Sequence, residues 1–178
     1  MLKNIDDIIS ACIAGERHAQ ETLYRSYFNY AMTICVPYCN TDFEAEEMVN
    51  DGFMKVFDKI SSFDKSRSFS PWIRRIMINS AIDHIRSQRK HYLIEDIDST
   101  PAVTSDDISV LDQITSEELM EKVKELSPGY RSVFLLYAVE GFKHHEIADQ
   151  LGISEGTSKS NFAKAKRKLQ DSLKNWGS

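Results

Sequence analysis

The segment from Glu146 to Leu169 constrains this chain more than any other. Ile147, Ala148 and Leu151 fall on one face of a short helix, and Gly152 stands where a helix needs a left-handed terminating residue. Ile153 fills the corner and Ser154 is placed to cap the next helix. Ser158, Phe162, Ala165 and Leu169 then recur at intervals of four, three and four. The pattern predicts a helix-turn-helix whose second helix buries that stripe. Opposite it lie Lys159, Ser160, Ala163, Lys164, Arg167 and Lys168, which mix cations for phosphates with short side chains that let a helix enter a major groove. Lys-rich solvated faces are common on terminal helices, but such a face alone does not require the glycine corner before it. The chain is read as a DNA binder.

A net charge of -5 over 178 residues looks wrong for that role until it is divided along the chain. Residues 65 to 90 hold seven cations against Asp83 alone, and residues 156 to 174 hold six against Asp171. Between them, residues 91 to 120 carry Glu95, Asp96, Asp98, Asp106, Asp107, Asp112, Glu117 and Glu118 with no Lys or Arg. Residues 99 to 105 interrupt any periodicity there, so the stretch reads as a flexible acidic linker. A solvated spacer that avoids its basic neighbours accounts for it as well as a specific role does.

The N-terminal half has the period of helices throughout. Ile5, Ile8, Ile9, Cys12 and Ile13 make one apolar face closed by Gly15, and Ala19, Leu23, Tyr27, Ala31 and Ile34 make a longer one that ends near Pro37. Thr41 to Glu44 has the capping-box pattern, followed by a stripe of Ala45, Met48, Val49, Phe53, Val56 and Phe57. Pro71 opens a helix with Trp72, Ile73, Ile76, Ile82 and Ile85 as core candidates and Arg74, Arg75, Asn79, Asp83 and Arg86 left for the surface. No strand alternation of useful length appears. The fold class is all-α: two small helical domains, residues 1–92 and 117–178, joined by a linker over 93–116, the second domain a helix-turn-helix.

No segment has the length and apolarity of a membrane span, and Asp6 and Asp7 interrupt the opening one, so a cytoplasmic protein without membrane insertion is expected. Cys12, Cys35 and Cys39 are an odd, sparse set for a disulfide framework. Cys35 and Cys39 with Cys12 or His18 could form a metal or redox site, or serve as small buried apolar residues, the commoner use. No glycine-rich phosphate loop, metal cluster or paired nucleophile and base is present, so neither an enzyme, a cofactor nor a small-molecule substrate is expected.

Three stretches in order, residues 43–57, residues 69–86 and the C-terminal helix-turn-helix, resemble a bacterial sigma factor of the extracytoplasmic-function class over nearly the whole chain. Such factors keep two globular domains, called 2 and 4, joined by a linker. The resemblance implies a transcription initiation factor whose partners are core RNA polymerase, promoter DNA and, in some cases, an anti-sigma factor. It implies that Glu47, Asn50 and Asp51 dock on the clamp helices of the largest polymerase subunit, though an ordinary solvated face would look the same. Residues 61–70, with Phe63, Lys65 and Arg67, resemble the loop that captures a base flipped from the start-proximal (minus-10) element. Asn79 matches a position that helps read it, and Lys65, Arg67, Arg74, Arg75 and Arg86 would hold phosphates. Trp72 is a stacking platform or, more often at such spacing, core.

For the upstream (minus-35) element, the family pattern assigns base-edge reading to Ser160 and Lys164 with Ala163 close against the groove, and phosphate contacts to Lys159, Asn161, Arg167 and Lys168. Relatives usually carry Val at the position of Ser158 and Arg at those of Asn161 and Lys164. Lysine lacks the rigid fork of arginine, so promoter preference is not transferable. His144 and His145 approach the DNA backbone or have no role there. Two other readings share parts of this pattern: a one-component helix-turn-helix regulator, and a sigma-like decoy that occupies an anti-sigma partner. The second basic patch argues against the first, and retention of Asn79, Lys159, Ser160 and Lys164 against the second.

Overall fold

Capping side chains set where four of the helices begin. The computed structural model describes residues 4–88 and 115–174, and its two compact units divide at His84. In the first unit, Asn4 accepts the Asp7 amide at 2.9 Å to start α1 (Ile5–Ile13), and Asp6 and Asp7 favour the positive end of its dipole. Gly15 follows with φ +81°, and α2 runs Arg17–Cys35. Thr41 caps α3 (Asp42–Lys59) by accepting the Glu44 amide at 3.2 Å. The Glu44 carboxylate accepts from Asn40, one residue before the cap, so the predicted capping box closes one residue early.

α4 spans Phe69–Ser87 and starts two residues before Pro71. Pro71 sits in its first turn, where the missing amide hydrogen has no helical acceptor. α1 packs along α2 and α2 along α3. Ile9, Leu23, Met48, Phe53, Ile73, Met77 and Ile82 fill the core, while Ile13, predicted on the apolar face, is exposed at the end of α1, and Phe57 and Ile85 are half-buried. The expected boundary at residue 92 and nearly all of the acidic linker lie outside the described residues. Thr115 and Ser116, assigned to that linker, already begin the next helix.

In the second unit, a full capping box starts α5 (Ser116–Lys124): Thr115 Oγ1 accepts the Glu118 amide and Glu118 accepts the Thr115 amide at 2.9 Å. Pro128 opens α6 (Pro128–Phe134), which continues into a π-helical turn, Leu135–Val139, closed by the Glu140 amide on the Leu135 carbonyl at 3.0 Å. α7 (His144–Leu151) ends at Gly152 with φ +65°, and the Ile153 amide returns to the Ala148 carbonyl at 3.1 Å. Ser154 Oγ accepts the Thr157 amide at 2.9 Å and launches α8 (Glu155–Lys174). Both α6 and α7 pack on α8, which buries Ser158, Ala165, Leu169 and Leu173. Among the described residues, no strand is formed.

A Cβ at Gly52 of α3 would collide with the sulfur of Met77 of α4, itself 0% exposed. Gly52→Ala is expected to lower stability by about 1–3 kcal/mol through overpacking, despite alanine's better helix propensity. A denaturant midpoint that rises would refute the packing argument. Gly152→Ala is expected to cost about 1–2 kcal/mol, the penalty of a Cβ in left-handed backbone. Thermal melting of the variant against wild type measures it.

Candidate nucleic-acid interface

On α8 the buried stripe of Ser158, Ala165, Leu169 and Leu173 fixes which side chains look outward. At roughly 100° per residue, Ser160, Ala163, Lys164 and Arg167 lie opposite it, flanked by Lys159 and Lys166 on one side and Asn161 and Lys168 on the other. Phe162, predicted in the stripe, is half-buried. Its ring lies 4.4 Å from that of Tyr137 and 6.0 Å, stacked, from that of Phe134. The six cations of α8 face only Glu155 and Asp171, so its outer surface is strongly positive within an acidic chain.

Several of these cations have partners within the fold. Lys159 pairs with Glu155 at 2.7 Å, one turn away. Hydrogen bonding by Lys159, followed by its charge, holds the Glu155 carboxyl below its usual range. The ammonium groups of Lys164 and Lys168 sit over the Tyr130 ring of α6 at 5.9 and 5.1 Å, and Lys166 lies over Phe162 at 5.9 Å. Ser160 Oγ donates to the Thr157 carbonyl at 3.2 Å. Lys164 therefore leans toward α6 and must swing outward to meet a base, whereas Arg167 is exposed. Lys166 was absent from the sequence assignment. Its place beside Lys159 on the helical wheel could have marked it.

α4 presents a second basic surface. Arg75, Asn79 and Arg86, all exposed, fall four and seven residues apart within one narrow strip of α4, while half-buried Arg74 lies about a third of a turn away. Asp83 is drawn off by Lys55 of α3 at 2.8 Å. In the loop before α4, Lys65 donates to Ser10 Oγ at 2.7 Å and Arg67 pairs with Asp64 at 3.3 Å. Asp64 also accepts the Ser66 amide and hydroxyl at 3.0 and 2.7 Å, which lowers its pKa, with Arg67 adding to the effect. Phe63 is 7% exposed, with its ring 5.3 Å from Phe69 and 5.2 Å from Trp72. The ring of Phe63, expected to contact a base, lies in the apolar cluster at the start of α4 and anchors the loop there. Trp72 is half-buried in that cluster.

Glu47, Asn50 and Asp51 are exposed on α3, and the Tyr24 hydroxyl of α2 donates to Asn50 Oδ1 at 2.9 Å. Sequence reasoning missed Phe43 and Met54, 68% and 63% exposed, which bracket these polar groups on the same face. Both residues fall out of phase with the buried stripe, the signal that could have found them. Cys12, Cys35 and Cys39 are buried free thiols. Burial, then Cys39, pushes the Cys35 pKa up to about 12, so its thiol stays protonated at neutral pH. Among the described residues, no group of three or more His, Cys, Asp or Glu side chains could hold a metal ion, and no helix is long and apolar enough to cross a membrane.

Residues 23–91 match the Sigma-70 region 2 family, and residues 116–169 match Sigma-70, region 4. The chain is 27% identical to the ECF RNA polymerase sigma factor SigW of Bacillus subtilis over 171 residues, covering 90% of this chain and 91% of that protein. It is 23% identical to the ECF RNA polymerase sigma factor SigM of Mycobacterium tuberculosis over 168 residues, covering 92% and 81% respectively. The sigma factor RpoE from Bartonella quintana, solved in complex with the anti-sigma factor NepR, aligns with a TM-score of 0.49 and 22% identity over 86% of this chain and 96% of that one. Regions 2 and 4 thus occur in order over more than half of the sequence, one in each helical unit, and the chain belongs to the sigma-70 family in its extracytoplasmic-function class, the non-enzymatic factors that direct core RNA polymerase to promoters.

Proposed function

We propose a division of labour among the residues of this initiation factor. α8 enters the major groove of the upstream element, with Ser160 and Lys164 at base edges, Ala163 against the groove, and Lys159, Asn161, Arg167 and Lys168 on phosphates. The observation that carries this reading is the strip of Ser160, Ala163, Lys164 and Arg167, directed away from the buried stripe of a helix launched from the Gly152 corner. Asn79 of α4 helps read the start-proximal element, and Lys65, Arg67, Arg74, Arg75 and Arg86 hold its phosphates. The loop that Phe63 anchors receives an unstacked base. Strand opening draws on binding free energy shared with the polymerase and needs no nucleotide hydrolysis. Glu47, Asn50 and Asp51 meet the polymerase, their acidic and amide groups complementing a basic surface. The factor works in the cytoplasm, with polymerase and chromosome.

Run-off transcription of genomic fragments by core RNA polymerase from a related bacterium, with and without the protein, tests the assignment. New start sites sharing a two-part upstream sequence are expected. Lys164→Glu is expected to reduce output from those promoters by about tenfold or more, from loss of a base contact and charge repulsion, while polymerase binding is unchanged. Unchanged output from the variant would remove Lys164 from the reading surface and favour a decoy, and promoter binding without polymerase would favour a one-component regulator.

A further inference from the structure

Ser158 is the one polar side chain of the buried stripe of α8, at 0% exposure. Its hydroxyl meets Nδ1 of His144, in the first turn of α7, at 3.0 Å. The imidazole stacks on the Tyr137 ring of the π-helical turn, centroids 4.3 Å apart and planes 14° from parallel, and meets the Phe162 ring edge-on at 5.8 Å. One histidine therefore touches the turn before α7 and two successive turns of α8. A buried hydroxyl without a partner is unfavourable, and a directional bond between rigid elements resists sliding and rotation where an apolar contact tolerates both. The pair lies directly behind the reading surface: Lys159 follows Ser158 in sequence, and Ser160 and Asn161 complete that turn.

Charge at this point supports a neutral ring. Burial, then the Lys159 ammonium, holds the His144 pKa below the usual histidine range, while Glu155 opposes them. A neutral imidazole leaves Nδ1 able to donate to the hydroxyl or accept from it, according to tautomer.

We propose that His144 is a positioning residue for the recognition helix: through Ser158 it fixes the rotation and depth of the first turns of α8, and so sharpens discrimination among upstream elements. The proposal rests on the reading of α8 given above and assigns His144 no contact with DNA.

The test uses holoenzyme assembled from core polymerase and the full chain, as wild type, His144→Phe, Ser158→Ala or both. Run-off transcription is compared between the promoter selected by the wild type and copies with single base changes in the upstream element. Each single variant is expected to lower the preference for the selected element about fivefold, and the double variant no further than the worse single, since both remove the same bond. His144→Asn, whose amide places a hydrogen-bonding atom near the Nδ1 position, is expected to recover part of the preference without the stacked ring. Should Ser158→Ala fail to fold, Ser158→Cys keeps the volume and loses most of the bond. Equal losses of output on every template with the preference intact, or losses that add in the double variant, would overturn the proposal. A wild type that selects no upstream sequence would remove the reading of α8 and this proposal with it.

Discussion

A helix of twenty residues, α8, carries six cations and is held by a stripe only one residue wide. Ala165, Leu169 and Leu173 supply its apolar burial with Ser158 at the upper end, so its position depends on a few side chains meeting α6 and α7 in one register. The Gly152 corner reduces that demand by fixing the angle at which the chain leaves α7 before any side chain of α8 packs. Aromatic groups provide the rest: Phe134, Tyr137 and Phe162 form a wall where the stripe has its smallest side chains. Helix termination, ring packing and the exposed basic strip are parts of one solution.

The first unit meets the opposite problem. Its helices are apolar enough to bury themselves, so its difficulty is to leave polar groups outside in a defined orientation. Tyr24 holds Asn50 from a neighbouring helix, Lys55 neutralises Asp83 beside the basic strip of α4, and Asp64 organises its loop through Ser66 and Arg67. These bonds are exposed and individually weak. Their effect is to restrict where the polar groups point, while stability comes from residues such as Leu23, Phe53 and Met77.

Features with local causes were legible in the sequence. Gly152, Ser154, Thr41 and the stripes of α3 and α8 follow from helix period and terminal chemistry, and these govern a few neighbouring residues only. Where a distant packing partner decided the outcome, the reading failed or was silent. The packing of Phe63 against Phe69 and Trp72 was not foreseen. The π-helical turn at Leu135–Val139 has no proline or glycine within it to announce it. Helix α4 begins before the proline expected to open it, because the burial of Phe69 extends it backward. On α8 the positions of the cations were readable, but their partners inside the fold were not.

Those internal partners alter what the charge count of α8 means. When a polycation binds DNA, small cations condensed on the phosphates are released, and that release makes affinity fall steeply with ionic strength. A lysine that leaves a carboxylate for a phosphate, as Lys159 would leave Glu155 in the contact proposed above, exposes an anion that attracts cations from solution in its turn. The gain in free ions at that position is partly cancelled. On the proposed reading of α8, Lys159 would therefore add less to the salt dependence of binding than a lysine without a carboxylate partner.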